Sequence, residues 1–392
     1  MSSLERIHIG RVFFLFHPVF SAVIFIRDPA YICFNCHTGF RMMPMNFLIK
    51  RKRALLRVVL CALLLSSALG LYMSFGPVSP VSSDTSSEIR NKFIKWVEFN
   101  VPYEVLSQAL DYDIGSYGKS IKLNWIELLA CVAAKNGGRF QAKRSAELDK
   151  LAARLNSGER MEDITKGLSY YPYYLDAYTA VLGGFVGTYT VDVKSREDEN
   201  VTVKETRYGL KAFCPIARGY GFSHYDDFGN SRSYGYRRRH LGNDLMGSVG
   251  TPVVAVEDGV VEALGWNQYG GWRIGIRSFD GKRYYYYAHL RKNHPYNSSL
   301  KLGSVVCAGD VIGYLGMTGY STRENVNNIR TPHLHFGMQL IFDESQKESV
   351  NEIWINVYNI VRLLQKNRAK VQRDPETKEY YRVMDVISEP AS

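Results

Sequence analysis

The chain has 392 residues, 46% of them hydrophobic, with 33 glycines and 13 prolines. That is enough for two folded domains with appendages, and it is not the composition of a disordered protein. Its formal charge of +11 resembles that of a nucleic-acid binder, yet residues 1–57 hold nine Lys/Arg against Glu5 and Asp28. The remainder carries no basic stripe, so no nucleic-acid partner is expected.

Residues 1–49 read as a cytoplasmic or non-native extension. Met42, Met43 and Met45 stand directly before "NFLIKRKR", where a membrane-targeted chain would naturally begin. Within the extension, "CFNCH" (Cys33 to His37) has the covalent haem spacing but no globular context, and no haem is assigned to it. Residues 50–75 follow as a basic flank, Lys50 to Arg53 with Arg57, and an uncharged apolar run of 18 residues from Val58 to Phe75. This length just suffices for a membrane-spanning helix. The flank keeps the N-terminal side in the cytoplasm and everything later outside it. The expected location is therefore the cell membrane, single-pass, with the main domain extracytoplasmic. Cleavage near Ser66-Ser67-Ala68, releasing a secreted chain, is the alternative.

Pro and Ser crowd residues 76–88, which read as a linker. Residues 89–200 are expected to form a small helical domain. "SSEIRNKFIKWVEF" places Ile89, Phe93, Ile94 and Val97 at helical spacing, and "NWIELLACVAAK" ends at Asn136-Gly137-Gly138. "SAELDKLAARLNSGE" and a tyrosine-rich stretch complete it. Beyond about Thr206 the texture changes to short alternating runs punctuated by Gly, Asp and Asn. An all-β domain is expected over 206–345, with Asp280-Gly281 marking a hairpin. Residues 350–392 return to helical periodicity at Ile353, Val357, Ile360, Val361 and Leu364, followed by a charged tail. Of the six cysteines, Cys131, Cys214 and Cys307 lie beyond the apolar run; their odd number implies no full disulfide framework, and each is read as a small buried hydrophobe.

Chemistry concentrates in the β region. In "TPHLHFGMQL", strand alternation turns His333 and His335 to one face and Leu334 and Phe336 to the other. "RRRHLGNDLMG" adds His240 and Asp244, and "YYYYAHL" places His289 near a strand end. Two imidazoles and a carboxylate suit Zn²⁺, and three protein ligands leave a fourth position open, as catalysis needs. The tyrosine run 284–287 alternates faces, so half of it should pack and half could line a groove.

These pieces, in this order, resemble the M23 (LytM/lysostaphin-type) zinc metallopeptidases, which cut peptide bonds in peptidoglycan. The resemblance rests on H-x-G-x-D at His240–Asp244, "GTPVVAVEDGVV", "YYAHL", "VCAGDVIGYLGMTGYST" and "PHLHF". It implies His240, Asp244 and His335 as ligands of one zinc per chain, with His289 and His333 as paired catalytic histidines. A tyrosine ahead of the first ligand helps stabilise the transition state in this family. Tyr234 or Tyr236 would fill that place, Tyr234 having the better-matching spacing. Glycines 270, 271, 316 and 319 would lie in loops bordering the substrate groove. The implied architecture is an N-terminal anchor, a small all-α domain, and an antiparallel all-β peptidase domain with a C-terminal helix. The implied partner is peptidoglycan. The alternative is a non-catalytic scaffold or activator of another wall hydrolase. The helical region carries Lys135 where a glycosidase would need an acid, so its expected role is positioning the peptidase or binding a protein partner.

Overall fold

A computed structural model describes residues 93–194, 201–347 and 350–383. The apolar run of the expected anchor, its basic flank, the linker, the cysteine pair of "CFNCH" and the last nine residues lie outside these. Among the described residues, no helix is long and apolar enough to cross a membrane.

The first helix begins later than its apolar spacing predicts. Residues 93–102 are not helical. Val97, Phe99 and Val101 are buried while Trp96, Glu98 and Asn100 face solvent, so a two-residue alternation wins over the helical one. Helix α1 spans Tyr103–Ser116 and α2 Trp125–Asn136. The α2 N-terminus is capped by the Asn124 side chain, which accepts from the N–H groups of Ile126 and Glu127. Its C-terminus stops at Gly137, where φ is +60°. Helices α3 (Ala146–Asn156), α4 (Met161–Thr165) and α5 (Tyr171–Leu182) follow.

The helical stretch ends well before residue 200, because β1 (Val186–Lys194) and β2 (Thr202–Leu210) form an antiparallel hairpin. Gly184 starts this change of direction. A Cβ there would fall 1.5 Å from the Glu257 carboxylate, so only glycine lets the chain pass that group.

The main sheet is antiparallel and gathers β3 (Ser223–His224), β6 (Asn243–Met246), β8 (Gly259–Asn267), β9 (Gly271–Ser278), β10 (Arg283–Ala288), β11 (Val305–Val306) and β13 (His333–Leu340). Their spatial order is β11-β8-β9-β10-β13-β6-β3. Besides the β1–β2 hairpin, three pairs stand outside it: β4 (Ser231–Tyr234) with β5 (Tyr236–Arg239), β7 (Pro252–Val254) with β12 (Val311–Tyr314), and β15 (Val371–Arg373) with β16 (Tyr380–Arg382). The predicted hairpin at Asp280-Gly281 joins β9 to β10.

Helical periodicity from Ile353 to Leu364 misreads part of this region. Ile353–Ile355 is β14, pairing with Met338–Leu340 of β13, and the helix that follows, α6, covers only Tyr358–Leu364. Part of the expected charged tail is the β15–β16 hairpin. Cys131 and Cys214 are buried as expected, but Cys307 is exposed, at the turn between β11 and β12.

Helices and sheet share one continuous apolar core rather than forming separate ones. Tyr178, Leu182, Tyr285, Leu334, Phe336 and Val361 all belong to it. Arg283 crosses the junction. It is fully buried, its Nε and Nη2 donate to Glu257 at 2.7 and 2.9 Å, and its Nη1 donates to the Ala180 carbonyl at 2.7 Å. The Tyr285 hydroxyl also donates to Glu257. A buried guanidinium with its donors distributed in this way caps the end of α5 and pins it to the sheet.

Candidate metal centre and groove

The sheet register assembles the site. His335 on β13 stands opposite Asp244 on β6 and opposite Ala288 on β10, one residue before His289. His240 enters from the loop just ahead of β6. Its Nε2 lies 2.8 Å from His335 Nδ1 and 3.0 Å from Asp244 Oδ1, while His335 Nδ1 is 3.3 Å from the same carboxylate oxygen. One ligand atom from each of these residues lies within 4.8 Å of the others. The donor set of two imidazoles and one carboxylate, largely withdrawn from water, fits Zn²⁺ with a position left open.

Two residues the sequence did not single out hold this centre. The Asp227 carbonyl lies 3.0 Å from His240 Nδ1, fixing Nδ1 as the protonated nitrogen and leaving Nε2 for the site. The Asp227 carboxylate accepts from the Asp244 backbone N–H at 3.2 Å. Arg232 Nη2 donates to Asp227 Oδ2 at 2.6 Å and to Asp244 Oδ2 at 3.0 Å. The second oxygen of Asp244 is thus engaged, and Oδ1 is the one that faces the histidines. Carboxylates behind ligating histidines are a general feature of metal sites. Neither Asp227 nor Arg232 belongs to a short motif, which is why pattern reading passes over them.

His289 and His333 stand beside the centre. Their ring centroids are 4.8 Å apart, and His289 is 5.9 Å from His335. His289 Nδ1 faces the Thr318 carbonyl at 2.9 Å and His333 Nδ1 faces the Thr331 carbonyl at 2.8 Å. A carbonyl can only accept, so each Nδ1 carries hydrogen and each Nε2 is the nitrogen left for chemistry. His289 adopts φ +62°, in the left-handed region, held there by its own N–H donating to the Gly270 carbonyl at 2.7 Å. Such backbone persists only where the surroundings over-determine it. Gly316 forms a bridge to His333, and Gly270 lines the groove.

Electrostatics favour positive charge where the ligands converge. Burial opposes ionisation of Asp244, but hydrogen bonds from His240 and His335 outweigh it and hold the carboxyl far below the usual range. Burial likewise opposes charge on His240, yet Asp227 and Asp244 raise its pKa to about 9. His335 and His289 are pushed down by burial, His289 well below its ordinary value with the neighbouring His333 and His335 adding to the effect. These two rings are therefore neutral at physiological pH.

Tyr234 sits in the β4–β5 hairpin. Its ring stacks on Tyr320 at 5.4 Å and meets Tyr269 edge-on at 6.2 Å; Tyr320 in turn contacts His289 at 5.7 Å. Tyr234 thus approaches His289 through one intervening ring, and Tyr236 is exposed, touching Tyr269. A groove of about 350 Å³ leads away from the centre over Tyr286, Tyr284 and Trp354. In the tyrosine run, Tyr285 and Tyr287 are fully buried and Tyr284 and Tyr286 line this groove, the division that alternation predicts.

Converging imidazoles and carboxylate with two further histidines, on an antiparallel sheet at the head of a groove, define the site of a metallopeptidase domain. Residues 238–351 match the family model described as peptidase family M23. Over 130 residues it is 41% identical to the L-Ala–D-Glu endopeptidase of Bacillus subtilis (strain 168), covering 33% of this chain and 38% of that protein. Over 98 residues it is 43% identical to lysostaphin of Staphylococcus simulans, covering 25% of this chain and 17% of that protein. The chain thus spans well under half the length of either relative. A solved structure of lytM from Ruminococcus gnavus ATCC 29149 aligns with 71% of this chain and 93% of its own, at 25% identity and a TM-score of 0.46.

Proposed function

We propose that this protein is a zinc-dependent endopeptidase that hydrolyses peptide bonds of peptidoglycan, acting outside the cytoplasmic membrane from an N-terminal anchor. The observation that carries the hydrolytic reading is the complete set of five residues, His240, Asp244, His335, His289 and His333, meeting at one end of an open groove. A scaffold or activator would have no need of all five, and their presence counts against that alternative. The anchor rests on the basic flank and the apolar run ending at Phe75. The wall substrate rests on the named activities of the relatives.

His240, Asp244 and His335 are the residues that would hold zinc; when bound, the ion supplies Lewis acidity and lowers the pKa of a coordinated water towards about 7. The protein's own groups manage the protons. His289, kept neutral by burial, presents an unprotonated Nε2 that suits a proton acceptor. His333, slightly more open at 12% side-chain exposure, is placed to pass a proton to the departing amine or steady the developing oxyanion. The carbonyls of Thr318 and Thr331 keep both rings in the required tautomer. Tyr234 is assigned no step, since it reaches the pair only through Tyr320.

The test is incubation of the purified full chain with peptidoglycans of different cross-link chemistry, with and without chelator, followed by mass analysis of the fragments. About one zinc per chain and zinc-dependent cleavage are expected, with both lost in His335→Ala and Asp244→Ala. Normal digestion by His335→Ala would rule out this centre.

A further inference from the structure

The groove beside the metal centre carries more positive charge than the centre itself uses. Arg238, Arg239 and Arg273 all line it, and Glu352 is the one carboxylate among its described lining residues. Glu352 is engaged in accepting from Trp354 Nε1 at 2.7 Å. Lys347, also at the groove, is neutralised by Glu262 at 2.6 Å. Arg232 is neutralised by Asp227 and Asp244. Among the described residues, no carboxylate pairs with Arg238, Arg239 or Arg273.

Two of these guanidinium groups also hold a buried nitrogen with no hydrogen-bond partner: Nη1 of Arg238 and Nε of Arg273. A buried cationic N–H left without an acceptor is costly, and such groups normally have a partner. Their placement is not haphazard. The Arg238 guanidinium carbon stands 4.7 Å from the Tyr269 ring centre and 5.0 Å from that of Tyr320, within cation–π reach of both. Arg273 shares the groove face of β9 with Gly275, which stands opposite Tyr286. Both arginines act electrostatically on the Tyr286 hydroxyl, and the Tyr286 ring packs edge-on against His335 at 5.8 Å. The two arginines therefore share the groove with the ring that packs against His335. Arg273 is two interstrand steps from His335, roughly 10 Å, a span of about three residues of extended peptide.

We infer that Arg273 and Arg238 form a carboxylate-binding subsite, and that the enzyme prefers peptides bearing a free side-chain or α-carboxylate within about three residues of the scissile bond over their amidated counterparts. This rests on the hydrolytic reading above and narrows it to anionic peptides. A carboxylate offers two in-plane oxygens that accept from a guanidinium fork, whereas a carboxamide brings its own N–H groups to face other donors. Tyr286 and Trp354 supply the apolar floor on which the peptide lies.

The experiment uses the zinc-loaded full chain with three probes: L-Ala–γ-D-Glu–L-Lys–D-Ala, the same peptide with its glutamate α-carboxylate amidated, and pentaglycine. Cleavage is followed by mass spectrometry, and binding of the first two peptides by calorimetry on the His333→Ala protein. The acid peptide is expected to be cut and bound at least about tenfold better than its amide, the weight of one charge-assisted contact. Arg273→Gln and Arg238→Gln should each shrink that ratio towards one, with the far-UV circular dichroism spectrum retained. Arg273→Lys should keep part of the preference. Equal binding of acid and amide by the unsubstituted groove, or a preference that survives both Gln substitutions, would overturn the subsite. Zinc-dependent cleavage that ignores the carboxylate would overturn it while leaving the endopeptidase reading intact. Absence of cleavage of all three probes would count against the endopeptidase reading, with the calorimetric ratio still deciding the subsite.

Discussion

Gly242 and the ring of His335 are in steric contact. A Cβ at position 242 would stand 2.8 Å from Nε2 and Cε1 of His335 and 2.6 Å from the Phe336 carbonyl oxygen. The glycine of the H-x-G-x-D motif is therefore required by the Phe336 carbonyl and the His335 ring beside it, not by a turn. Gly242→Ala is expected to tilt the His335 ring away from Asp244 and lower zinc affinity by about 10–100-fold, the range seen when ligand orientation is disturbed. Competition against a chromophoric chelator measures this directly. Unaltered affinity would mean that β6 and β13 can separate without cost.

Asp227 is expected to behave almost as a ligand without being one. It fixes the His240 tautomer through its carbonyl and braces the Asp244 backbone and Arg232 through its carboxylate. Asp227→Ala removes only the carboxylate functions, so His240 keeps its carbonyl partner while Arg232 is released onto Asp244 alone. Zinc affinity should fall by about tenfold or more, with far-UV circular dichroism unchanged. Loss of the fold instead would assign the residue to stability.

That the candidate site residues come together was legible because each part is local. H-x-H on a strand sets two rings on one face by alternation alone, and H-x-x-x-D spans a single loop-to-strand step. What could not be read was the support arriving from elsewhere. Arg232 reaches the ligands from the β4–β5 hairpin and Asp227 from the loop ahead of it, a docking no periodicity encodes, and Arg273 is one of many arginines until the fold places it in the groove with Tyr286. The misread elements share one physical cause. Phe93 to Val101 and Ile353 to Ile355 each satisfy a helical and an alternating pattern at once, and tertiary burial decides between them. Val97, Phe99 and Val101 dock on the core as an extended segment, and Ile353 and Ile355 bury while pairing with the free side of β13.

Acid stability should depend on His224. Its ring lies 4.6 Å from Tyr358 and 6.4 Å from Phe222, and neither of its buried nitrogens has a hydrogen-bond partner. Burial lowers its pKa to about 4; Asp227 and Asp226 pull the other way, and Arg362 adds to the lowering. Below the unfolded value of about 6.5 the unfolded chain binds a proton that the native ring refuses, so stability falls as pH drops from about 6.5 to about 4. The loss has an upper bound of about 3 kcal/mol. His224→Phe keeps an aromatic ring and removes the titration, and its melting temperature should vary less over that interval. An equally steep profile in the variant would place the acid sensitivity in another group.

Arg283 should reveal whether the helices are an appendage or part of the peptidase fold. It donates to Glu257 on the sheet side and to the Ala180 carbonyl at the end of α5, in a position without solvent exposure. Arg283→Met leaves Glu257 buried without its counter-charge, and removing one partner of a buried pair costs about 3–5 kcal/mol. Replacing both partners, as Arg283→Met with Glu257→Gln, removes the stranded charge and should recover a large share of that loss. Because the two layers share one apolar core, urea unfolding of the described region is expected as a single transition, monitored at once by tyrosine fluorescence and far-UV circular dichroism. In Arg283→Met that transition should move to lower urea without splitting. If it splits, with helical signal lost ahead of the sheet, the helices form a separate unit, and Arg283 serves only to attach it.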